Sequence, residues 1–432
     1  MKAFRNGASL SSAASACLKR PHRSPTRLNL TRISDNALAR RGDLVGGGRI
    51  LPSISSRIPT SRSYSVDHGT PKSSPPPFAF AFDIDGVLLH VTEPIPGATD
   101  ALKQLQEYSI PFILLTNGGG KHETDRVKDL SNRLGIELTT DNFVQSHTPF
   151  QELVRHGHNS EGLRDKNILV TGSDAAKCRD IAERYGFKHV IIPADILVAQ
   201  PTIWPFEPLM KEVYAATARP LPSPNPKIDA IFVFNDPRDW ALDIQIISDL
   251  LMSQQGVLGT YSPNNENPDL PNRGWQRDGQ PHLFFSNPDL FWSAAYPLPR
   301  FGQGAFQAAL AGVWDQVTGG KAELERTVIG KPYARTYGFA ERVLNAHRAK
   351  ILGAGQATLE PLQRVYMVGD NPASDIRGAN EYVSPLGTKW SSILVGTGVY
   401  SFERAGPPEY WPDFTVKDVK EAVEMVLAKE VW

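Results

Sequence analysis

The chain has 432 residues, 46 Lys+Arg against 46 Asp+Glu, and is 41% hydrophobic and 9% aromatic. The zero balance hides a division: residues 1–66 hold twelve Lys/Arg and two acids, and the remainder holds 34 Lys/Arg against 44 acids. An acidic body without aromatic-flanked basic runs excludes a dedicated nucleic-acid binder, no run approaches the roughly 18 apolar residues of a membrane span, and Cys17 and Cys178 are too few for a disulfide framework or a cysteine-based zinc site.

The leader 1–66 is rich in Arg, Ser and Ala and nearly free of acids, the composition of a mitochondrial presequence. Arg62-Ser63-Tyr64-Ser65 resembles a matrix-processing site, so the mature chain is expected to start near Ser65 and to reside in the mitochondrial matrix. A disordered basic tail is the plainer alternative. The Pro-rich stretch 67–77 closes the leader as a stiff spacer.

The body opens with Phe78–Phe82, a short apolar run that predicts a buried parallel strand. A helix over Gly97–Tyr108, a strand over Pro111–Leu115 and a helix over Glu123–Leu134 follow. Strand and helix alternating at this spacing imply a doubly wound parallel sheet. The pattern then restarts, with strands at Asn167–Val170, His189–Ile192 and Asp229–Phe234 and helices at Ala175–Tyr185 and Leu242–Met252. Two long loops, Pro201–Pro226 and Ser262–Pro281, interrupt this block. A third block runs through strands His282–Phe285, Arg326–Ile329, Arg364–Val368 and Ser391–Val395, with helices at Gly304–Val317, Tyr333–His347, Ala373–Val383 and Val416–Ala428. The expected architecture is a first sheet domain (78–145 and 286–432) interrupted by a second α/β unit (146–285).

Four segments fall where a strand should end, the edge at which open α/β sheets bind ligands. In Asp83-Ile84-Asp85-Gly86, two acids after a buried strand are costly unless something compensates them, and Mg2+ prefers carboxylate oxygen. Thr116-Asn117-Gly118-Gly119-Gly120 offers a hydroxyl, an amide and backbone N–H groups to an anion. Gly330-Lys331-Pro332 places one ammonium where it can hold a phosphoryl oxygen. Gly369-Asp370-Asn371-Pro372-Ala373-Ser374-Asp375 adds two further acids. Each also has a bland reading: an Asp turn, a glycine turn, a solvated lysine, a helix-start acid.

Their order carries more than any one of them. Asp-x-Asp-Gly, Thr-Asn-Gly, Gly-Lys-Pro and Gly-Asp-Asn-x-x-Ser-Asp resemble, in that sequence, the four motifs of the haloacid dehalogenase-like (HAD) superfamily of phosphohydrolases. The inserted unit looks like the cap of the class IIA branch, and Ser286-Asn287-Pro288-Asp289 is similar to its Asn-Pro-Asp signature. Phe234-Asn235-Asp236, Trp240 and the leader look most like the mitochondrial members related to the cat eye syndrome critical region protein.

The resemblance implies a Mg2+-dependent phosphatase. Asp83 would be the nucleophile, Asp85 the general acid and base, and Thr116, the Asn117 amide and Lys331 the phosphate ligands. Mg2+ would be held by Asp83, Asp370 and the backbone carbonyl of Asp85, with Asp375 supporting from behind. Asn287 and Asp289 are expected at the cap–core junction. The presence of Asp85 argues against dehalogenation, which needs no leaving-group proton. The implied substrate is a small phosphometabolite, glycerophospholipid intermediates among the candidates, with no nucleic-acid partner. A phosphotransferase, a non-catalytic assembly protein and a homodimer through the cap stay open on sequence grounds.

Overall fold

The computed structural model describes residues 75–432 except 157–160, 174, 293, 297, 357–358 and 404–405. The expected presequence and processing site lie outside the described residues. Among the described residues, no helix is long and apolar enough to cross a membrane.

Six parallel strands make the first sheet, in the order Phe414–Val416, Lys389–Val395, Arg364–Gly369, Phe78–Phe82, Phe112–Leu115, Phe143–Val144. The Phe-Ala alternation of Phe78–Phe82 explains its central place. Successive side chains of a strand point to opposite faces. Phe78, Phe80 and Phe82 therefore fill the layer beneath helices Ala98–Glu107, Glu123–Leu134 and Val419–Lys429. Ala79 and Ala81 let helix Ala334–Ile351 approach closely on the other face through Tyr337, Ala340 and Leu344. Each fully buried Phe is worth about 2–3 kcal/mol of transfer free energy.

From the central strand the chain moves first to one side and later to the other. The sheet thus has a switch point at the carboxyl end of Phe78–Phe82, and a ligand crevice forms there. Local signals set the element ends. Helix Glu123–Leu134 stops at Gly135 in the left-handed region, and Asp418 caps the last helix by accepting from Glu421 N–H at 3.0 Å.

A second parallel sheet runs Thr327–Val328, His282–Phe285, Ala230–Val233, Asn167–Thr171, His189–Ile191. This corrects the expected boundary. Thr327–Val328 pairs with His282–Phe285, and Phe306, Leu310 and Trp314 of helix Gln303–Val317 pack into this sheet's core. Residues 286–328 therefore stay with the second sheet instead of returning to the first at 286. The burial of those three large side chains against Phe285 and Leu283 decides it. Pro201–Pro226, read as loop, contains the helix Lys211–Thr217, anchored by Tyr214 donating to Asp239 at 2.8 Å. The two edge strands Phe143–Val144 and Phe414–Val416 were too short to stand out as apolar runs.

Candidate active site

The carboxyl ends of three adjacent strands of the first sheet bring three of the segments together, and Gly330-Lys331-Pro332 reaches them from the end of Thr327–Val328 in the second sheet. Asp83 follows Phe78–Phe82 and is 7% exposed, its N–H donating to Val368 O at 3.0 Å across the neighbouring strand. Lys331 Nζ lies 2.6 Å from Asp83 Oδ1 and 2.6 Å from Asp375 Oδ1. Asp83, Asp370 and Asp375 are buried and can each offer an oxygen within 4.8 Å of the others.

Three carboxylates against one ammonium leave an excess negative charge, and the titration behaviour reflects it. Burial raises Asp83 well above the usual carboxylate range; Lys331 opposes this, and Asp375 and Asp370 add to it. Burial, then Asp375, push Asp370 up to about 7. Burial would lower the Lys331 ammonium, but Asp375 and Asp83 outweigh it and hold the group above its ordinary value. An oxygen-only, strongly anionic donor set is chemistry that a hard divalent cation satisfies.

The backbone around the cluster is shaped for it. Gly86 has φ +93°, and a Cβ there would lie 2.5 Å from Asp370 Oδ2. Asp370 Oδ2 accepts from Val399 N–H at 2.5 Å, and Asp375 Oδ2 from Asn371 N–H at 3.0 Å. Tyr337 Oη donates to the Asp375 carbonyl at 3.1 Å, buttressing the same turn.

Asp85 stands apart from the three acids. Its side chain is open to solvent, yet the surrounding protein raises its carboxyl, with Arg126 and Lys331 opposing. A Cβ on Gly118 would sit 3.2 Å from Thr116 Oγ1 and 3.7 Å from Asp85 Oδ2, so these two groups flank one point of the crevice. Where the resemblance put Asp85 with the metal ligands through its carbonyl and Asp375 behind them, the carboxylate cluster contains Asp375.

Asn117 differs from the expectation most. Its side-chain N–H groups donate to Asp289 Oδ2 at 3.0 Å and to the Lys331 carbonyl at 2.9 Å, and its Oδ1 accepts from Lys331 N–H at 2.7 Å. A carboxamide so committed has no N–H left for a phosphate, so a phosphate contact at this position would fall to the Asn117 backbone N–H. Asn117 is a tie that places Lys331. Asn287 Nδ2 donates to the Asn117 carbonyl at 3.1 Å, and Asp289 N–H to Asn287 Oδ1 at 2.7 Å. The Asn-Pro-Asp segment therefore ties to the Thr116–Gly120 loop through Asn117. Burial raises Asp289 to about 6, with Asn117 opposing.

Sequence reasoning missed Val399, whose signal was only an apolar strand ending in Gly396-Thr397-Gly398. It also missed His147, Tyr185 and Glu123, which form a partly buried polar chain beside the Thr116–Gly120 loop. Residues separated by tens of positions leave no local pattern.

Comparison with known proteins bears on the family and the fold. A family profile described as haloacid dehalogenase-like hydrolase matches residues 80–188, and one described as HAD-hydrolase-like matches residues 328–422. The chain is 40% identical over 366 residues to a mitochondrial hydrolase of Saccharomyces cerevisiae, covering 81% of this chain and 96% of that one. It is also 40% identical over 375 residues to a cardiolipin synthase (CMP-forming)/mitochondrial hydrolase fusion protein of Schizosaccharomyces pombe, covering 86% of this chain and 56% of that longer protein. The fold is shared with 4-nitrophenylphosphatase from Thermotoga maritima, at a TM-score of 0.50 and 18% identity over 81% of this chain and 97% of that one. With a relative matched over nearly its whole length and the four motifs converging on one crevice, the chain belongs to the haloacid dehalogenase-like hydrolase family.

Proposed function

We propose that the protein is a mitochondrial, Mg2+-dependent phosphomonoesterase that works through an aspartyl-phosphate on a small phosphorylated metabolite. The observation that carries the reading is the Lys331 ammonium, 2.6 Å from both Asp83 and Asp375 inside the three-acid cluster.

Asp83, Asp370 and the Asp85 carbonyl would hold the cation, with Asp375 adjoining. When bound, Mg2+ supplies positive charge that keeps these carboxylates ionised and balances the phosphoryl oxygens. Asp83 then attacks phosphorus in line; a new O–P bond forms as the ester O–P bond breaks. Asp85 gives its proton to the leaving oxygen, which its raised carboxyl suits, and afterwards takes one from the water that cleaves the aspartyl-phosphate. Lys331 and Thr116 hold equatorial oxygens, where charge accumulates.

Mitochondrial placement is supported by the basic leader and by the names of both yeast relatives. Fusion of the Schizosaccharomyces pombe relative to a cardiolipin synthase supports a substrate in glycerophospholipid metabolism.

The test is phosphate release from an aryl phosphate with and without Mg2+, followed by a phosphometabolite screen. The wild type should turn over only with the cation, and Asp83→Asn should lose more than about a thousandfold. Undiminished turnover in that variant would remove Asp83 as the nucleophile.

A further inference from the structure

Within the Thr116–Gly120 loop, Gly118 N–H donates to Thr116 Oγ1 at 2.9 Å, and the far end of the loop is held from outside. Gly120, at φ +94°, donates its N–H to His147 Nε2 at 3.4 Å. His147 lies where the chain leaves the first sheet, three residues after Phe143–Val144, and is fully buried. Its Nδ1 is 2.7 Å from Tyr185 Oη, and that hydroxyl is hydrogen-bonded in turn to Glu123 Oε1 on the helix following the loop. Glu123 Oε1 also accepts from Thr148 Oγ1 at 2.6 Å.

The tautomer follows from the partners. A backbone N–H can only donate, so Nε2 accepts and the proton sits on Nδ1, facing Tyr185. Tyr185 and Phe234 belong to the second-sheet unit, and their rings lie 5.9 and 5.2 Å from the imidazole. Asn235 of that unit meets the loop as well: a Cβ on Gly120 would be 2.5 Å from its Nδ2.

We propose that His147 is a positioning residue for substrate binding: its neutral imidazole ties the loop that carries Thr116 to Tyr185 of the second unit, so that the loop holds its phosphate-binding form only when that unit is seated on Glu123. The proposal rests on the phosphatase reading and adds to it the group that sets the loop. His147 and Tyr185 touch no substrate; they act through Gly120.

The experiment uses His147→Leu, which removes the acceptor, His147→Gln, whose Oε1 can accept from Gly120 N–H, and Tyr185→Phe, which removes one hydroxyl. Inorganic phosphate binding is measured by calorimetry with Mg2+, together with kcat and KM for an aryl phosphate and the melting temperature. The expected result is phosphate affinity weakened about fivefold or more, and KM raised alike, in His147→Leu and Tyr185→Phe, with kcat within about threefold. His147→Gln should stay within about twofold of wild type even if its melting temperature falls as far as that of His147→Leu. A merely structural role would make both His147 variants alike in phosphate affinity, and that outcome overturns the proposal, as do variants indistinguishable from wild type. A wild type that neither binds phosphate nor turns over overturns the phosphatase reading and this proposal with it; one that does both isolates the failure to the relay.

Discussion

Lys331 and Asp375 form an ion pair at 2.6 Å with side chains 2% and 0% exposed, and Asp83 shares the same ammonium. Breaking a buried pair from one side leaves a charge with no partner and costs about 3–5 kcal/mol. Lys331→Met should therefore destabilise the protein by that order and lower turnover at least about a hundredfold. Urea denaturation with and without Mg2+ checks it: the cation should recover a larger share of stability in the variant than in wild type.

Asp85 is separated from the acid cluster and is assigned proton transfer, so its replacement should depend on the leaving group. Asp85→Asn should slow hydrolysis of an alkyl phosphate by about 10²–10⁴ and that of 4-nitrophenyl phosphate much less, because nitrophenolate departs without a proton. Equal losses on the two substrates would argue against the general-acid role.

Asn117 spends its side chain on Asp289 and on both backbone groups of Lys331. Asn117→Ala should therefore act through Lys331 and the junction. Expected effects are about 1–3 kcal/mol of lost stability from the unpaired buried groups, together with reduced turnover. Thr116→Ala, by contrast, should raise KM with little change in melting temperature. Thermal denaturation beside steady-state kinetics separates the two.

At Gly86, a methyl group would meet the Asp370 carboxylate in a backbone conformation that L-residues rarely adopt. Gly86→Ala should weaken Mg2+ binding more than any comparable substitution outside the crevice, read by calorimetric titration of the metal alone.

His147 supplies the pH dependence. Burial lowers its imidazole to about 4, with Glu123 opposing and His122 adding. Because the folded value lies below the unfolded one near 6.5, the unfolded chain binds the extra proton between those values. The stability contributed by the neutral imidazole is complete above about pH 6.5 and is lost as pH falls toward 4. Relative to His147→Gln, wild type should lose about 2 kcal/mol of unfolding free energy between pH 6.5 and 5. Taking the difference cancels the carboxylates that titrate in the same range, such as Asp243, raised to about 7 by burial.

Most of the fold was legible because its signals are local. Phe78–Phe82 announces a central strand by five consecutive apolar residues, and Asp83 and Asp85 take their places from it. The helix Gln303–Val317 was also legible, but which sheet it covers was not, since Phe306, Leu310 and Trp314 would suit either core.

The order of the motifs along the chain therefore determined the family, the parallel sheets and the candidate nucleophile, because strand periodicity and strand-end chemistry are written within a few residues. Tertiary structure alone decided that the Asn117 side chain is a tie, that Asp375 joins the acid cluster, and that His147 meets the loop. Each of those depends on a hydrogen bond or ion pair between residues 27 to 214 positions apart, where distance in space bears no relation to distance in sequence.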